Sequence, residues 1–242
     1  MKKKKLTYLM LAAACLLLLG STIGGTRAAL TYYSENYVAE ITVSQIGVSL
    51  LENGTVVSSR DYKKNEWNVS TNNESTSAGG TLLSNMLKEK EKIALNKKYE
   101  EKLTVKNSGS IDEYVRVRIY RYWMKDGQKV TTLSPDLIDL NFANTDCWIK
   151  NPNETAECTE LFYKGILKSG KETKPFADTI RIDGKLASEA KVETKGNTIT
   201  TTYKYDGVEF HVDVEVDAVQ THNAQDAIKS AWGVDASGLG IL

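Results

Sequence analysis

Thirteen consecutive residues, Val208–Gln220 (VEFHVDVEVDAVQ), alternate between apolar and polar side chains almost without a break. Val208, Phe210, Val212, Val214, Val216 and Ala218 fall on one side, and Glu209, His211, Asp213, Glu215 and Asp217 on the other. A period of two is the signature of a pleated strand with one face on a core and the other toward water; a helix would scatter these residues around its axis. Tyr99–Met124 repeats the signal twice. Tyr99, Leu103 and Val105 share one face of a first arm, and Val115, Val117, Ile119 and Trp123 share one face of a second. Asn107-Ser108-Gly109-Ser110 between them carries turn residues, with Gly109 free to take positive φ, so the stretch reads as strand, turn, strand. Its opposite face, Tyr114, Arg116, Arg118, Tyr120 and Tyr122, mixes aromatics with arginines.

The rest of the chain is punctuated in the same manner. Asn53-Gly54 between apolar runs predicts a hairpin with a return arm at Thr55–Ser59. Residues 60–80 are polar and Asn-rich and read as a long surface loop, whereas Leu82–Ala94 has the spacing of a short amphipathic helix. A further strand is expected at Lys129–Leu133, a helical or looped piece at Leu137–Phe142, and strands at Leu161–Leu167 and Phe176–Ile182. Thr198–Tyr205 and Val208–Gln220 are expected to pair through Asp206-Gly207. Trp148 reads as a core plug, and Asn223–Trp232 as a helix ended by Gly233. Nine or ten strands with little helix predict a mainly β fold, an antiparallel, jelly-roll-like β-sandwich with a short C-terminal helix.

The first residues have a different character. Lys2–Lys5, the apolar run Leu6–Leu19 and the small-residue border GSTIGGTRAA have the three-part layout of a secretory signal peptide, with cleavage expected between Ala28 and Ala29. The apolar run is shorter than the roughly 20 residues a membrane span needs. Residues 29–242 would then form one domain. Removing residues 1–28 takes Lys2, Lys3, Lys4, Lys5 and Arg27 from 31 basic residues and nothing from 31 acidic ones, leaving a net charge of about −5. Such a chain is a poor partner for nucleic acid, which needs a concentrated basic surface. The expected location is secreted, extracellular or cell-surface associated, with a mature protein that does not span a membrane.

Catalytic and metal signatures are sparse. His211 and His222 are the only histidines, and there is no H-E-x-x-H, G-x-S-x-G, phosphate-binding glycine loop or C-x-x-C. No catalytic, cofactor or metal residues are therefore assigned. The acidic row Glu209, Asp213, Glu215 and Asp217 allows three readings: a solvated face, part of a calcium shell completed by a loop, or a partner for Arg116 and Arg118 on a neighbouring strand or molecule. Cys147 and Cys158 are the two cysteines beyond the leader, and in an oxidising exterior they are expected to form a disulfide.

Taken in order, GGTRAA, LTVKNSGSIDEYVRVRIYRYW, Trp148 with LFYKGILKSG, and VDVEVDAVQTHNAQDAIKSAWGV resemble the TasA/camelysin family of secreted Gram-positive biofilm matrix proteins. The resemblance runs across nearly the whole chain. It implies a jelly-roll sandwich whose subunits join head to tail into fibres, alone or with other matrix proteins, after processing by a SipW-like signal peptidase. It further implies that the N-terminal segment of one subunit completes the sheet of the next. Here that segment is Ala29–Val43, with Tyr32, Tyr33, Tyr37, Val38, Ile41 and Val43 as the contact residues. Asn96-Lys97-Lys98 stands where the family often has a Pro-Gly turn, and the cysteines and the Asn-rich loop have no counterpart in it. The camelysin metalloprotease label has no zinc-binding signature behind it in this chain. The expected function is a structural fibre subunit, not an enzyme; a surface adhesin using the Tyr/Arg face is the alternative, and a secreted metalloprotease a third.

Overall fold

The structure, a computed structural model, describes residues 45–63, 66–71, 82–83, 86–87, 92–188, 190–195, 198–203 and 205–242. The leader, the cleavage site and Ala29–Val43 lie outside these residues. The described chain is mainly β, with two large antiparallel sheets and a short C-terminal helix, as the alternation predicts.

The first sheet contains β1 (Gly47–Glu52), β2 (Thr55–Lys63), β3 (Glu66–Thr71), β4 (Tyr99–Asn107), β7 (Ile138–Phe142) and β10 (Ala177–Ile182), in the order β3-β2-β1-β4-β10-β7. The second contains β5 (Glu113–Lys125), β6 (Gln128–Val130), β8 (Trp148–Lys150), β9 (Cys158–Tyr163) and β13 (Glu209–Gln220), in the order β13-β5-β9-β8, with β6 also paired to β5. A separate two-stranded ribbon joins β11 (Ala190–Lys195) to β12 (Thr198–Tyr203). The inward rows of both large sheets merge in one core, with Leu50, Leu103 and Val105 from the first and Val115, Val117 and Ile119 from the second. Helix α1 (Ala224–Trp232) and the short α2 (Ala236–Leu239) follow β13.

Two turns form as their sequences dictate. Asn53 (φ 49°) and Gly54 (φ 82°) close β1 onto β2, and Asp126 (φ 50°) and Gly127 (φ 73°) close β5 onto β6. Positive φ at both central residues is the turn whose twist matches that of the flanking strands. Gly233, at φ 73°, ends α1 as expected.

Several pairings differ from the sequence expectation. Tyr99–Met124 is two strands but not a hairpin: β4 belongs to the first sheet and β5 to the second, so the segment arches over the end of the sandwich. Asn107 makes the arch possible. It is fully buried, its amide donates to the carbonyls of Ile111 and Leu167, and its Oδ1 accepts from Gly109 N–H. Gly109 is required for closeness and not for positive φ, since a Cβ there would meet the Gln45 carbonyl at 2.4 Å. Likewise β12 pairs with β11 and β13 with β5, so Asp206-Gly207 joins two sheets instead of two partners. Part of the expected polar loop is strand, because β2 runs to Lys63 and pairs with β3; residues 72–80 of that loop lie outside the described set. Ile138–Phe142 is a strand after a 3-10 turn at Pro135–Leu137. The residues described within 82–94 are not helical, and Leu83 takes φ 62°; Leu82, Leu83, Met86, Leu87 and Ile93 instead pack as a strap on the core.

Candidate functional site

β13 pairs with β5 over its full length, with Asp217 opposite Arg116, Glu215 opposite Arg118, Asp213 opposite Tyr120 and His211 opposite Tyr122. Of the acidic row, Asp217 and Glu215 meet the arginines, Asp213 meets Tyr122, and Glu209 is exposed beside His211. Arg116 donates through Nε and Nη2 to Asp217 Oδ2 at 3.1 and 2.6 Å, and through Nη1 to Glu160 Oε1 at 2.9 Å. Arg118 reaches Glu215 at 2.7 Å. Tyr122 donates to Asp213 at 2.7 Å and stacks on His211. That hydrogen bond, then burial and the Asp213 charge, push the Tyr122 hydroxyl up to about 12. Arg116, Arg118 and Tyr122 of the aromatic and arginine face are therefore each engaged by the acidic row.

At the far end of the same face the outward row becomes apolar. Tyr114, Phe162 and Val219 form a second small core with Ile228 and Trp232 of α1, and Ala236 and Ile241 beyond it. Arg116 lies 5.4 Å from the Trp232 ring centroid and joins the ion-pair ladder to the helix.

The edge of this sheet is unusual. Among the described residues only β5 pairs with β13, so its other edge presents backbone N–H and C=O groups. Its inward row is also incompletely covered: Val212 is buried, while Phe210, Val214, Val216 and Ala218 are only half-buried. A cleft of about 390 Å³ opens there, between Val48, Leu50, Ser58 and Arg60 of β1 and β2 and Glu215, Val216 and Asp217 of β13, with Arg118 at its side. A polypeptide strand laid along β13 would satisfy the backbone groups and cover the apolar row at once.

The expected disulfide is not formed: Cys147 and Cys158 are both free. Trp148 pairs with Tyr163 and Lys150 with Leu161, and Cys147 C=O accepts from Lys164 N–H. Cys158 stands six residues along β9 from that point, roughly 20 Å at the rise of a strand. A disulfide needs its Cα atoms within about 7 Å. Burial pushes both thiols above their usual range.

Three charged side chains on inward rows escaped the sequence reading. Glu101 lies between Tyr99 and Leu103 on β4, and Glu113 and Arg121 lie on the Val115–Trp123 row of β5. Each is visible as a charged residue interrupting an otherwise apolar alternate series. Glu101 is 1% exposed and Glu113 fully buried, and all four of their carboxyl oxygens have no hydrogen-bond partner. Burial raises both: Glu101 well above the ordinary carboxyl range, reinforced by the neighbouring Glu52, and Glu113 to about 8. Arg121 donates to Ile138 C=O at 3.0 Å.

The candidate assembly residues Tyr32, Tyr33, Tyr37, Val38, Ile41 and Val43, with Ala28 and Ala29, lie outside the described residues. Groups of three or more His, Cys, Asp or Glu side chains able to hold a metal are absent among the described residues. No described helix is long and apolar enough to cross a membrane. No family model, curated protein or solved structure matches the chain.

Proposed function

We propose that this chain is a secreted structural protein, a subunit of extracellular fibres or biofilm matrix, that assembles by giving its N-terminal segment to the next subunit. The observation that carries the reading is the β13 edge, with its open backbone groups and half-covered apolar row. Ala29–Val43 is a fitting occupant by sequence: its 15 residues exceed the 12 of β13, and it is rich in Tyr, Val, Ile and Thr. Donation of this kind is heterologous, and head-to-tail contacts whose rotation does not close a ring build filaments. The resemblance to TasA/camelysin proteins points the same way, with export through a SipW-like peptidase and a role that requires no catalysis. The test is electron microscopy of purified protein starting at Ala29 beside a version starting at Ile41. The intact form is expected to make filaments and the shortened form to stay folded and unassembled. Filaments of equal yield from both would rule out strand donation.

A further inference from the structure

Glu52 and Glu101 occupy neighbouring strands at one end of the core. Glu52 pairs with Leu103 in the β1–β4 ladder, and Glu101 is the next inward residue of β4. Both are buried, at 7% and 1% exposure. Their side chains enter the core from adjacent strands on one inward face, and two ionised carboxylates have only acceptors to offer each other. One proton between them turns the clash into a bond. Glu52 Oε1 meanwhile accepts from Leu83 N–H at 2.5 Å. Leu83 is held at φ 62°, a backbone conformation that L-residues adopt rarely and keep only where their surroundings fix it.

We propose that Glu52 and Glu101 form a proton-sharing carboxyl pair that clasps the strap at Leu82–Leu83 to the end of the sandwich and releases it when the shared proton is lost. Other charges are directed elsewhere. On β4, Tyr99 uses its hydroxyl to accept from Ala94 N–H, and Lys102 is on the opposite face. In the turn, Asn53 Oδ1 accepts from Lys102 N–H. On β10, Asp178 accepts from Asn141. Across the core the inward Trp123, Phe210 and Val212 carry no charge, and Arg121 is engaged at Ile138 C=O. Lys97 lies over the Tyr99 ring, 4.7 Å from its centroid, and the charge that acts on Glu101 is that of Glu52. Once both groups ionise, repulsion in an apolar site leaves Glu52 seeking water, and the Leu83 amide loses its acceptor.

The test follows two signals in the purified protein between pH 5 and pH 9: the carboxyl carbon resonances of ¹³C-labelled glutamates, and the exchange protection of Leu83 N–H against that of Val117 N–H. The Glu101 carboxyl is expected to titrate above neutrality. Over the same interval Leu83 protection should fall about tenfold for each pH unit, as one proton released per opening demands, while staying below that of Val117, which opens only with the whole fold. Glu101→Gln should remove the pH dependence at Leu83, since an amide donates to Glu52 without titrating. Glu101 titrating in the ordinary carboxyl range would overturn the proposal, even where the variant does not fold. So would a Leu83 protection equal to that of Val117 at every pH, since Leu83 would then open only with the whole fold. A rise in melting temperature on adding millimolar calcium, abolished by Glu101→Gln, would show that the pair holds a cation instead of a proton.

Discussion

Arg116 and Asp217 face each other across the β5–β13 ladder through two hydrogen bonds to one carboxylate oxygen, and the same guanidinium reaches Glu160 on β9 and stacks on Trp232 of α1. One side chain thus ties three strands and the C-terminal helix. It is nearly buried, at 8% exposure, so its pairing differs in kind from that of Arg118, whose partner Glu215 is mostly in water.

Arg116→Ala is expected to lower stability by about 3 kcal/mol, because it takes the main cation from two partly buried carboxylates, leaving Asp217 only Arg118 at 3.4 Å and Glu160 only the Asn151 amide, and uncovers the Trp232 face. Arg118→Ala should cost less than about 1 kcal/mol, as exposed pairs do. Urea unfolding of the two variants gives both numbers. Equal losses would contradict the difference in burial.

Stability should fall as pH rises from about 5 to 9. Glu101 and Glu113 are raised above their unfolded values, so the folded protein binds protons that the unfolded chain releases from about pH 4.5 upward. Their contribution is complete in acid and is lost progressively until pH passes the folded value, about 8 for Glu113. Glu113→Gln should flatten this profile, with a gain at pH 8 on the order of a few kcal/mol over the parent. Thermal melts across the pH range provide the check.

Cys147 and Cys158 should both react with a thiol reagent after unfolding without reductant, and reductant should leave the melting temperature of the native protein unchanged. A mass two units lower and a single unreactive pair would mean that the β8–β9 register is wrong.

Gly54→Ala should destabilise by about 1 kcal/mol through backbone conformation alone, since φ is 82° and nothing lies within 4 Å of the added methyl. Asn107→Ala should cost more, about 3 kcal/mol, because it removes three hydrogen bonds made by one fully buried side chain at the arch. Denaturant melts of the pair separate turn conformation from arch bonding.

Local chemistry in the sequence settled what is local in the structure. Alternation in β4, β5 and β13, positive φ at Asn53-Gly54, and the 3.6-residue spacing of α1 with its terminal glycine are each fixed by a few adjacent residues and need no tertiary information. Strand partners are another matter. Asn107–Ser110 has the composition of a hairpin turn, but only the third dimension places β4 and β5 in opposite sheets, because an arch and a hairpin use the same turn residues. The acidic row was compatible with water, calcium or arginine until the β5–β13 register set Asp217 beside Arg116. The two cysteines, eleven positions apart in sequence, are kept apart by a ladder whose register no cysteine count reveals. Glu101 and Glu113 were legible as breaks in an apolar series, yet their raised proton affinity comes from burial on all sides, which belongs to the packed fold and not to any one strand.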